Sequence, residues 1–247
     1  MRFPARKIKV NKLDAAQRQF RTAIQLWFTG GDPVAIHTLA SAAHEIIHTL
    51  FKRAGLHGLL FDTDYIKDEY RSEWAKLLKI NSWFFKHARA DADGEIEFNP
   101  DTNWGILGAC LSGLQRLGAP FGMEERCLLL WFKIHHPTCF PKQVTKEGIP
   151  INLFQRFGHI DRHDLFEEFE ALWREGRAPG QPNVEPQRGR LEGWRFGDVT
   201  VRDGTLHLLT MRIFYAIANR CRARINSPTP IAMLSAFQAS PLRNAAP

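Results

Sequence analysis

The sequence predicts an all-α protein, a multi-helix bundle followed by a short C-terminal extension. Three observations carry that expectation. Apolar residues recur at three- and four-residue spacing through six segments between Leu13 and Arg174. Residues suited to helix ends bound those segments, with Asp32-Pro33, Asn99-Pro100 and Asp161 at starts and Gly30-Gly31, Gly55 and Gly118 at stops. Extended patterning is confined to Glu95–Phe98 and to the chain beyond residue 193.

Taken in order, residues 1–11 form a basic arm. Helix 1 runs from Leu13 to Phe28, with Ala16, Phe20, Ile24 and Trp27 on one face. Asp32 caps helix 2, and Pro33 takes its first position, where the missing N–H costs nothing. Its core face is expected to be Ile36, Leu39, Ala43, Ile46, Ile47 and Leu50, with His37, Ser41, His44 and His48 as a polar margin. Helix 3 is expected from about Asp64 to His87, with Asn81 inside its apolar stripe, where a polar group needs a partner. Helix 4 starts at Asn99-Pro100 and buries Leu107, Leu111 and Leu114. Helix 5 spans about Met123 to His136, and helix 6 spans Arg162 to Arg174. Residues 12–175 are therefore expected to be the helical bundle domain. Residues 176–193, rich in Gly, Pro and Arg, read as a linker. Residues 194–225 read as a small hairpin and helix, and 226–247 as a disordered tail.

The formal net charge is +7, which suits RNA or another acidic partner. The four cysteines form no C-x-x-C pair, so a disulfide framework is not expected and a reducing compartment is. The basic N-terminus lacks a signal-peptide core, and no run approaches the ~20 apolar residues of a membrane span, so the expected location is cytoplasmic. No glycine-rich nucleotide loop or G-x-S-x-G elbow is present.

Two stretches carry chemistry. His44-Glu45-Ile46-Ile47-His48 matches H-E-x-x-H. Histidines four apart share a helix face and can reach one zinc ion, and Glu45 could then act as a base on a zinc-bound water. Phe51 and Ala54 stand where a longer peptidase signature has Gly and His, and no strand precedes the helix to align a peptide. Glu69 and Glu73 are the acids within sequence reach as a third ligand, and His37 lies about 10 Å away along the axis. The second stretch is Trp83-Phe84-Phe85-Lys86-His87-Ala88-Arg89. There Lys86 and Arg89 could hold a phosphate and His87 could move protons near neutral pH. Cations also suit a helix C-terminus for its dipole alone.

The segments Leu13–Ile46 (with His37-Thr38-Leu39-Ala40 and Ala43-His44-Glu45), Phe84–Asp91 and Glu97–Pro100 resemble a bacterial family of all-helical proteins. That resemblance implies a helical fold and no particular activity. More distantly, a Lys-His pair ending a long helix in a small bundle is similar to the HEPN superfamily, whose helical dimers often act as metal-independent ribonucleases. Carried onto this chain, the family's histidine falls at His87. Its arginine has no counterpart: Lys86 directly adjoins His87, and the next basic residue upstream is Lys79, with seven residues between it and His87. The first expectation is therefore a HEPN-like domain acting by interaction with RNA through Lys79, Lys86 and Arg89. It includes a homodimer, with His87 as catalytic residue if it cleaves, and no cofactor. The second is a zinc hydrolase with His44 and His48 as ligands and Glu45 as base.

Overall fold

A computed structural model describes residues 7–62, 71–89, 91–136 and 157–176. Within them lie α1 (Lys12–Phe28), α2 (Pro33–Arg53), α3 (Arg71–Phe84), α4 (Asn103–Arg116), α5 (Met123–His135) and α6 (Arg162–Arg174), with a 3-10 turn Pro100–Thr102 leading into α4. No strand occurs among the described residues, Glu95–Phe98 included. The expected arm falls partly, and the linker, hairpin and tail almost wholly, outside them.

The caps do what the residue types allow. The Asp14 N–H donates to Asn11 Oδ1 (2.9 Å), Ala35 N–H to Asp32 Oδ1 (2.8 Å) and Asp164 N–H to Asp161 Oδ1 (2.9 Å). Gly30, with φ +71, ends α1 in a left-handed turn and folds α2 back against it. Asn103 Nδ2 donates to Pro33 O (2.9 Å), Cys110 Sγ to Ala40 O (3.4 Å), and a Cβ on Gly113 would run into Ile47 Cγ2. These pairs advance together, so α2 and α4 run in the same direction, and at residue 113 the helix backbone has no room for a side chain beside Ile47. By the same reasoning Gln17–Pro120, Arg21–Glu125 and Trp27–Trp131 make α1 and α5 parallel. Phe28 stacks on Phe166 (5.1 Å), which closes α6 over the pair.

The core is built from Phe20, Ile24, Phe28, Ile47, Phe51, Leu107, Leu111, Leu128 and Phe132, each at most 1% exposed. Glu125 is wholly buried among them. Its Oε2 accepts the Gly122 N–H (2.9 Å) and its Oε1 accepts Arg21 Nε (2.8 Å), which satisfies the charge from both sides. Arg21→Ala is expected to cost about 2 kcal/mol in denaturant unfolding, because it leaves that carboxylate one partner short. An unchanged midpoint would mean water replaces the guanidinium.

Two expectations need correction. The buried face of α2 is Ile36, His37, Ala40, Ser41, Ala43, His44, Ile47 and Phe51, while Leu39, Ile46 and Leu50 are only half-buried. The helix is enclosed by α1, α4 and the turn after it, so its buried surface is wider than one apolar stripe, and the polar margin lies inside. The second concerns α3, which ends at Phe84, with Phe85–Lys86 in a turn, so His87 and Arg89 lie beyond the helix. Its expected first turn, from Asp64, lies outside the described residues.

Candidate functional site

The turn after α2 positions the first group of side chains. Gly58, with φ +86, bends the chain in a conformation that suits glycine, and Leu59 and Leu60 anchor the turn in the core. Leu59 N–H donates to Asp62 Oδ1 (3.0 Å), and Asp62 N–H donates back to Leu59 O (3.2 Å). Trp74 Nε1 of α3 donates to Leu60 O (2.7 Å). This closed turn presents Phe61 and Asp62 to the histidine face of α2.

There the ring of Phe61 meets His44 edge-on (centroids 4.5 Å apart) and His48 (5.2 Å). The two imidazoles lie 6.2 Å apart, centroid to centroid, inclined by 25°. His48 Nε2 is 3.3 Å from Asp62 Oδ1. The contact is an ion pair only when His48 carries a proton, and neither His48 Nε2 nor Asp62 Oδ2 makes an aligned hydrogen bond in this buried place. His44 Nε2 is likewise buried without a partner, and so is Asn81 Oδ1 of α3. The polar residue in the α3 stripe thus finds no partner for its carbonyl.

Burial pushes His44 down to a pKa of about 3; the His48 charge adds to this and Asp62 opposes it. Asp62 is pushed up by its own burial, but the contact with His48, the Leu59 N–H and the charge of Lys52 outweigh that and leave it below its ordinary value. His37 is lowered by burial despite its contact with Asn103 Oδ1 (3.0 Å). Its ring packs edge-on against Phe85 and Phe98, which also touch each other (centroids 5.1 Å).

Glu45 turns away from this group. It is part-exposed, and its Oε1 lies 3.9 Å from Lys86 Nζ. Hydrolysis at a zinc held by His44 and His48 would need an open coordination position with Glu45 over it. Here His44 is only 1% exposed and Glu45 faces Lys86 in the turn after α3. Of the acids first considered as a third ligand, Glu73 is exposed on α3 and Glu69 lies outside the described residues. The acid next to His48 is Asp62, and no spacing to H-E-x-x-H marks it in the sequence.

The outer edge of α3 carries the second group. Lys76, Lys79, Ile80, Trp83, Lys86, His87 and Arg89 are all exposed. Within the helix, Lys76, Lys79, Ile80 and Trp83 stand at three- and four-residue spacing, while Lys86, His87 and Arg89 follow in the turn and the chain beyond it. Trp83 is 46% and Ile80 52% exposed, and Trp83 is the one exposed Phe, Tyr or Trp among the described residues. His87 lies against it (centroids 5.6 Å, tilted 42°). Lys79 reaches over Phe61, 4.7 Å from the ring centroid. Lys79, Lys86 and Arg89 are thus all exposed near Trp83 in the chain, with Lys79 over Phe61 and Lys86 toward Glu45.

No described helix is long and apolar enough to cross a membrane. Comparison with protein-family models, with curated proteins and with solved structures gives no match, so function has to be argued from these side chains.

Proposed function

We propose that the chain is a HEPN-like helical protein that binds single-stranded RNA along the outer edge of α3. One observation supports this above the others: a half-exposed tryptophan stands in a row of cations. Burial of Trp83 would be the ordinary outcome for so large an apolar ring; its exposure here has a use when unstacked bases pack on it. Lys79, Lys86 and Arg89 would meet phosphates on either side, and His87, held against Trp83, would contact the sugar or phosphate next to the stacked base. Glu45 beside Lys86 lowers the local charge and works against this reading at that one cation.

Retention of a ~20-nucleotide single strand on filters tests it. With three phosphates met, affinity is expected to drop about 20-fold between 50 and 200 mM salt. No retention at either salt concentration rejects the reading. A homodimer closing through the same face would bury Ile80 and Trp83 instead, and sedimentation that shows a dimer dissociated by Trp83→Ala would assign the face to self-association. If the protein also cleaves RNA, His87→Ala is expected to relieve the toxicity of expression, and unchanged toxicity removes His87 from catalysis.

A further inference from the structure

We infer that His44, His48 and Asp62 form a binding site for one divalent transition-metal ion of the zinc class. It would be a three-donor site, its fourth position left to water, that fastens the turn after α2 to the helix. Three buried polar atoms in one place make no aligned hydrogen bond: His44 Nε2, Asp62 Oδ2 and His48 Nε2, whose one near neighbour is Asp62 Oδ1 at 3.3 Å. His44 is 1% exposed, and the side chains of His48 and Asp62 are 15% and 14% exposed. Neutral imidazoles cannot satisfy each other unless one donates to the other, and rings 6.2 Å apart do not. A cation satisfies both lone pairs and the carboxylate together. Two imidazoles and a carboxylate are a donor set that zinc, cobalt and nickel accept, and that magnesium and calcium take poorly.

The supporting shell has the expected character. Phe61 covers both rings, while Leu59 N–H holds Asp62 Oδ1 and leaves Oδ2 available. The three donors stand more loosely than in a loaded site. Among the described residues, the one group of such atoms within 4.8 Å of one another is His163, Asp164 and Glu167. That group is exposed at the start of α6, and the 3.6 Å contact of His163 with Glu167 one turn on explains it without an ion. At the α2 site, His48 and Asp62 are already 3.3 Å apart, and His44 shares the helix face with His48, so side-chain rotation is the movement required. Lys79 opposes a cation here and Asp62 favours one; with two neutral imidazoles, the carboxylate balances one of the ion's two charges.

The test uses the full chain without a histidine tag, stripped with chelator and titrated with Co2+ and then Zn2+. Visible d–d absorption saturating at one equivalent of Co2+ is expected, with displacement by Zn2+ and a rise of several degrees in melting temperature. His48→Gln and Asp62→Asn should each lower the affinity at least tenfold, whereas His163→Gln should not. Three results would overturn the proposal: no saturable absorption, absorption that survives both α2-site changes, or loss in His163→Gln alone. If either substituted protein fails to fold, the wild-type titration decides alone, and a melting temperature that stoichiometric Zn2+ does not move rejects the site.

Discussion

Taking the metal-free protein from pH 7 to pH 4 is expected to cost the fold about 3 kcal/mol through His44 alone. Burial, with a smaller push from the His48 charge, holds the pKa of His44 near 3 in the folded chain against about 6.5 when unfolded. Between those values the unfolded chain binds a proton that the folded chain refuses, so stability falls as the pH falls. At pH 4 the deficit is about 2.5 units at 1.36 kcal/mol each. His37 and His135, both lowered by burial, add to the loss in the same direction. Asp62, held below its ordinary value, contributes stability that is present above that value and is lost only at still lower pH. Denaturant unfolding in chelator at the two pH values measures the sum. His44→Gln should flatten the dependence between pH 6.5 and 4, because glutamine cannot titrate. Equal slopes for the two proteins would mean that His44 is reached by water.

Trp83→Ala should weaken binding of single-stranded RNA by about 5- to 150-fold, the worth of one stacked base. The same change should move the unfolding free energy by no more than about 1 kcal/mol, because the ring is already half in water. Trp83→Phe should recover most of the affinity, since stacking needs a ring and not the indole nitrogen. The two readouts separate a contact residue from a packing residue. A large loss of stability with unchanged affinity would make Trp83 part of the α3 packing.

The helices were legible because their signals are local. Asp32-Pro33 opens α2 as its residue types require, and the limits of α6 follow from Asp161 and the spacing of Leu165, Phe166, Phe169 and Leu172. The depth of the α2 histidines was not legible. Whether His37 and His44 sit at a margin or inside depends on how many neighbours a helix has, and that is decided by α4, far away in sequence, and by the turn at Gly58. Asp62 was hidden for a related reason. Its carboxylate reaches His48 because a glycine with positive φ and two core leucines set the turn, and no spacing rule connects it to H-E-x-x-H. In α3 the same local pattern that marks the core side cannot tell whether the opposite side is covered by another helix, so the exposure of Ile80 and Trp83 emerges only once the bundle is assembled.

The salt dependence of RNA binding tests the account most directly, comparing the wild-type protein with Lys79→Ala/Lys86→Ala/Arg89→Ala. If these three cations each meet a phosphate, the slope of log K against log salt should become shallower by about 2 in the triple variant. An unchanged slope, or no binding by the wild type at low salt, would contradict the assignment of the α3 edge as an RNA surface.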